Sequence, residues 1–246
     1  MKKILFLILF FQSCLFAQTN FDKMNKLYKS YPDFIDSASN NTIYFKDGST
    51  MQFDDGVEKD YETMLDNPDI EDMLSMKYTP GSEWDSPPPK NFEPGRIRNE
   101  DFFAKMYGGS AKEVESNLVG IKWMPKSTNA TVMITRVNGV DKKLKEVSDE
   151  LDALPENLKK YVTTTAGTFN WRPIAGTNRM SMHSYGVAID INTKYSDYWQ
   201  WNKSMKYVNR IPMEIVEIFE KHGFIWGGKW YHYDTMHFEY RPELLP

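Results

Sequence analysis

Between residues 131 and 154 the spacing of apolar side chains changes period, and the change predicts a strand followed by a helix. Residues 131–137 are rich in β-branched side chains and stop at Asn138-Gly139, the composition and punctuation of a strand. Leu144, Val147, Leu151 and Leu154 then recur at intervals of three and four, so 142–154 reads as an amphipathic helix. A second helix is expected over 99–107, with Phe102, Phe103 and Tyr107 on one face and Gly108-Gly109 ending it. A third spans 212–222, with Pro212 just inside its start and Gly223 just past its end. Short strands are expected at 187–191, at 224–226 and through the alternating Met236, Phe238 and Tyr240. Nearer the start, apolar positions alternate on both sides of Asp47-Gly48, which predicts a tight hairpin over 42–53. Residues 54–100 break the periodicity with Asp, Glu, Pro and Gly, and the Ser-Pro-Pro-Pro run at 86–89 should be extended, so this segment reads as a surface wrap or linker. No internal repeat is present, and strands and helices do not alternate as βαβ units. The expected fold is α+β, with a small, mainly antiparallel sheet flanked by helices.

Composition adds size and destination. A chain of 246 residues with 41% hydrophobic content can bury a substantial core. The formal charge of -4, with no basic run interleaved with aromatics, leaves no field for gripping nucleic acid, which is excluded as a partner. Met1-Lys2-Lys3, the apolar run 4–11 and the stretch 12–18 have the three-part layout of a secretory signal, and the apolar run is too short to span a bilayer. Cleavage after Ala17 would remove both lysines and Cys14, the single cysteine. A competing reading lipidates Cys14, and only then is a membrane a partner. Either reading sends the chain to the periplasm or outside the cell. The expected organisation is a signal peptide at 1–17, an N-terminal extension with hairpin and Pro-rich linker at 18–120, and a catalytic domain at 121–246, acting as a monomer.

The candidate chemistry lies near the C-terminus. His183, Asp190 and His237 are the imidazole and carboxylate ligands that a catalytic zinc takes when it keeps a position open for water. His183 and Asp190 are seven apart, an offset that one regular strand would send to opposite faces; a turn at Gly186 would bring both to one centre, with His237 arriving on a neighbouring strand. Asp234, three residues before His237, is placed as general base and acid toward the zinc-bound water. Arg172 or Arg179 would hold a substrate carboxylate or an oxyanion, with Arg172 the stronger candidate because it follows an expected strand end; Ser181 and Tyr185 flank the ligand loop as further substrate contacts. His222 reads as a helix C-terminal cation and His232 as a rim or surface group, and neither is taken as a ligand. Trp226, Trp230, Tyr231 and Tyr233 read as core and groove wall, and Glu239 as a carboxylate supporting His237 from the same strand face.

Ser181-x-His183-x-x-Gly186-x-Ala188-x-Asp190, followed by Trp226-Gly-Gly-Lys-Trp230 and Asp234-x-x-His237-Phe-Glu239, resembles the VanY-type zinc D-alanyl-D-alanine carboxypeptidase family, including its L-alanyl-D-glutamate endopeptidase branch. The resemblance covers about residues 160 to 245. It implies one zinc, peptidoglycan stem peptides as substrate, His183, Asp190 and His237 as metal ligands, and Asp234 as the catalytic acid. Aspartate rather than glutamate at 234 leans toward the endopeptidase branch. The contrasting reading is a non-catalytic wall-binding or regulatory module of the same fold. The acidic segment 54–94 is a candidate competitor for a cationic subsite.

Overall fold

The computed structural model describes residues 20–202 and 206–246. The expected signal segment 1–17 and Cys14 lie outside the described residues. The fold is α+β, but among the described residues the strands form three small antiparallel sheets rather than one. The first joins β1 (Ile35–Ser39), β2 (Thr42–Phe45) and β3 (Thr50–Gln52), with β2 and β3 meeting at the Asp47-Gly48 turn. The second pairs β4 (Leu118–Lys122) with β5 (Thr131–Thr135). The third has the order β6 (Ala188–Asp190), β8 (His237–Tyr240), β7 (Phe224–Trp226).

Helices close over these sheets. Preceding β1 is α1, over 20–30, which places Met24 and Leu27 in the core with Tyr31 just beyond. It is followed by α2 (Tyr61–Asp66), α3 (Glu100–Tyr107), α4 (Ala111–Glu115), α5 (Val140–Asp152), α6 (Glu156–Lys159) and α7 (Met213–Lys221). Among them α3 follows directly from its sequence. The Asn99 side chain accepts from Phe102 N at 2.9 Å, a cap worth about 1 kcal/mol, and Phe102, Phe103, Met106 and Tyr107 are all buried. In α5 the stripe Leu144, Val147 and Leu151 is fully buried, and at α7 Pro212 stands at the cap position, one residue earlier than expected.

One cluster of buried side chains runs from Met24 and Leu27 through Phe102 and Phe103 to Phe219 and Phe238, so segments far apart in sequence share a core. The 54–100 segment is largely irregular, yet it is more than a surface wrap. Ile70, Met73, Tyr78, Glu93 and Ile97 are buried, and Lys59 sits among Asp55, Asp69 and Asp72. Its last stretch passes beneath the third sheet, where Trp230 donates to Pro94 O at 2.7 Å and Arg241 to Gly95 O at 2.8 Å. Among the described residues, no helix is long and apolar enough to cross a membrane.

Candidate metal centre and active-site cavity

The site is built from one turn and two paired strands. Ser181 caps a 3-10 turn, Met182–Tyr185, which carries His183. The turn ends at Gly186 with φ +65, a left-handed conformation that a side chain would strain, and a Cβ there would meet Leu118 Cδ2 at 2.7 Å. The chain reverses there and enters β6. Asp190, the last residue of β6, lies directly opposite His237, the first of β8, so the two side chains leave the same face of the sheet. The loop before β8 is fixed by close approach: a Cβ on Gly227 would stand 2.7 Å from the Asp234 carbonyl oxygen, and one on Gly228 would enter the Trp226 ring. Asp234 N donates to Gly227 O at 3.0 Å and Trp226 Nε1 to Thr235 O at 3.0 Å, which holds Asp234 beside the ligand strand.

Three donor atoms converge here. His183 Nε2 is 3.2 Å from His237 Nδ1 and 3.2 Å from Asp190 Oδ1, and His237 Nδ1 is 3.0 Å from Asp190 Oδ1. Tetrahedral ligands with metal–nitrogen bonds of roughly 2.0–2.1 Å stand about 3.3 Å apart, close to this triangle. Hydrogen bonding between neutral rings does not account for it. His183 Nδ1 meets Thr168 O at 2.7 Å, a carbonyl that can only accept, so Nδ1 carries the proton and Nε2 presents its lone pair to the triangle. His237 Nε2 meets Glu239 Oε2 at 3.0 Å, which in the neutral ring likewise leaves Nδ1 with its lone pair turned inward. With both rings neutral, two lone pairs and a carboxylate oxygen face one another with no proton among them, an arrangement that suits a cation. In the cation's absence burial disfavours a charged His237, but hydrogen bonds to Asp190 and Glu239 overcome it and raise its pKa to about 10. A metal at this centre would take the place of that proton.

Around the triangle the charges are graded. Glu239 is fully buried, yet Arg98, whose Nη2 donates to Oε2 at 2.6 Å, and His237 keep its pKa well below the usual carboxylate range. Arg241 Nη1 donates to Oε1 at 3.1 Å. Against its burial, Asp190 is likewise held low by His183 and His237. Asp234 moves the other way: burial and then the Asp190 charge push it up to about 6. Its Oδ1 is buried without a hydrogen-bond partner. A carboxylate poised near neutrality with an uncommitted oxygen has the properties of a proton acceptor.

His183, Asp190, His237 and Asp234 all line one cavity of about 310 Å³, together with Ser181 and Arg172. The remaining expected contacts go elsewhere. Tyr185 is 2% exposed and packs against Phe103, Tyr107 and Trp171, so its ring is core and does not face the cavity. Arg179 turns away to Asp66 of α2, at 3.5 Å, and is no part of the cavity wall. His222 lies 2.8 Å from Glu146 and 2.8 Å from Glu150 of α5, which makes it a link between two helices as well as a helix-end group. His232 is bound at 2.7 Å to Glu93 and is absent from the cavity lining. Trp226 and Tyr233 are core, whereas Trp230 walls the cavity.

Two charged cavity residues were not anticipated. Arg96 and Arg98 come from the irregular segment before α3, with Arg96 5.2 Å and Arg98 5.9 Å from the Trp230 ring centroid. The signal available was the run Arg96-Ile-Arg98, two like charges alternating about a buried Ile97, in a segment otherwise acidic. No residue between 54 and 94 lines the cavity, and Glu93 of that segment is engaged by His232, Tyr61 and Arg96, so a competing acidic lid is not found among the described residues.

The turn, the sheet and the WGGKW loop that build this centre fall within residues 175–240, which match a family model described as D-alanyl-D-alanine carboxypeptidase. Over these residues the chain is similar to the VanY-type peptidases. The match covers all three donors and Asp234 and leaves out Arg96, Arg98 and Arg172. It supports a metallopeptidase acting on peptidoglycan in general. No curated protein matches the chain.

Proposed function

We propose that the protein is a zinc-dependent peptidase that removes the terminal D-alanine from peptidoglycan stem peptides outside the cytoplasmic membrane. The observation that carries this reading is the convergence of two inward imidazole lone pairs and Asp190 within one cavity beside Asp234, whose Oδ1 is uncommitted. His183, Asp190 and His237 would hold the zinc, which when bound supplies Lewis acidity and acidifies water. Asp234 accepts a proton from the attacking water at its carboxylate and returns it to the nitrogen of the departing residue, so that the amine leaves neutral. Burial and the neighbouring carboxylate favour that proton's stay on Asp234. Arg172 lines the same cavity and makes no ion pair among the described residues, and its guanidinium donates only to the neighbouring Pro173 O at 3.4 Å, which leaves its other donors for the substrate's terminal carboxylate.

The test is mass spectrometry of muropeptides incubated with the purified chain, with chelator and with zinc restored. Chelator-sensitive loss of one terminal D-alanine is the expected result. A cut between L-alanine and D-glutamate would make the protein an endopeptidase of the same family. No zinc-dependent change would leave a binding module.

A further inference from the structure

The cavity receives guanidinium groups from two unrelated parts of the chain. Arg172 precedes the ligand turn, while Arg96 comes from the irregular segment outside the family match. A third, Arg98, is already committed, since its Nη2 donates to Glu239 at 2.6 Å and its charge is spent within the sheet. Arg96 differs. Its nearest carboxylate, Glu93, is 3.6 Å from Nε and is engaged by the backbone and ring of His232, both at 2.7 Å, and by the Tyr61 hydroxyl. The two Nη groups of Arg96 make no hydrogen bond among the described residues and are not sealed from solvent. The Trp230 ring lies 5.2 Å beneath the guanidinium, and Trp230 is itself pinned by its bond to Pro94 O. A stacked, pre-positioned fork with free donors at a cavity wall is built to take a carboxylate. Arg172 has no ion-pair partner among the described residues, and Arg96, although Glu93 faces its Nε at 3.6 Å, keeps both Nη groups free of hydrogen bonds, so the wall of the cavity offers donors from two guanidinium groups.

Resting on the peptidase reading above, we propose that Arg96 is a specificity residue that binds a second substrate carboxylate, distinct from the one held by Arg172, so that the site selects stem peptides bearing two free carboxylates. The segment that supplies Arg96 therefore contributes substrate choice and does more than cover the sheet.

The probes are four synthetic peptides, L-Ala-γ-D-Glu-L-Ala-D-Ala-D-Ala with the glutamyl α-carboxylate and the C-terminal carboxylate each free or amidated. Binding is measured by calorimetry to the zinc-loaded full chain carrying Asp234→Asn to prevent turnover, alone and combined with Arg96→Gln or Arg172→Gln. In the parent, either amidation should weaken binding about ten-fold or more, the size of one charge-assisted pair. Arg96→Gln should abolish sensitivity to one amidation and preserve the other, and Arg172→Gln should do the reverse. Unchanged sensitivity in Arg96→Gln, loss of the same sensitivity in both variants, or a parent indifferent to the glutamyl amide would each overturn the inference. If Arg96→Gln does not fold, Arg96→Lys keeps the charge without the fork, and a selective fall in one sensitivity is expected; its retention in full overturns the inference. Wild-type hydrolysis of the unamidated peptide is followed separately, so that a chain that cuts no stem peptide sinks the peptidase reading while the binding preference is still read.

Discussion

Glu239 Oε2 lies 3.0 Å from His237 Nε2, on the side of the ring opposite Asp190. Strand alternation puts both residues on one face of β8, and the acid fixes which nitrogen of His237 turns toward the centre. Glu239→Gln, whose amide can present a donor to Nε2 and so favour the wrong tautomer, should lower zinc affinity about 10–100-fold. Competition with a chromogenic chelator measures it. An unchanged affinity would remove Glu239 from the site.

His183→Ala and Asp234→Ala should separate metal holding from proton transfer. The first should lose both zinc and hydrolysis. The second should keep zinc at one equivalent while kcat falls by roughly 10²–10⁴. Metal analysis beside kcat on the same preparations decides it, and normal turnover in Asp234→Ala would end the assigned role.

Glu93 should contribute a distinct acid-sensitive share of stability. Despite its burial, His232, Arg96 and Tyr61 lower its pKa from 4.5 to about 2. Because the folded value lies below the unfolded one, the contribution is complete above pH 4.5 and is lost as pH falls toward 2; its upper bound is on the order of 3 kcal/mol. Denaturant titrations across that window should show a shallower loss of stability in Glu93→Gln than in the wild type. Parallel curves would contradict this account.

Gly228→Ala should destabilise the WGGKW loop, since the added Cβ would stand 2.1 to 2.4 Å from three atoms of the Trp226 ring. That ring is buried and hydrogen-bonded to Thr235 O, so it cannot simply move aside. A cost of about 1–3 kcal/mol is expected from overpacking, together with a displaced Asp234. Thermal unfolding and zinc content read the two effects. By contrast Gly48→Ala meets open space and should show only the strain of its φ of +84.

Much of the site could be read along the chain because its parts are local. The hairpin at Asp47-Gly48, the cap and apolar face of α3, the stripe on α5 and the turn at Gly186 each depend on residues within a few positions of one another. What escaped reading also has identifiable causes. The α1 signal was present as Met24, Leu27 and Tyr31 but lay in a polar segment. Leu118 to Lys122 is interrupted by Gly120, whose small size lets Thr131 of the partner strand approach, so β4 is defined by its neighbour as much as by itself.

The sequence by itself determined the candidate donor set, the reversal at Gly186 and the α+β class, since residue type, backbone freedom and period are properties of short stretches. Only the tertiary structure decided that the expected single sheet is three, that Tyr185 belongs to the core, that Arg179 pairs with Asp66, and that Arg96 and Arg98 reach the cavity. Those outcomes depend on which distant surfaces bury one another. The direction in which a side chain is sealed or exposed is set by the segment packed against it, and for Arg96 and Tyr185 that segment lies more than a hundred and about eighty positions away in the chain, respectively.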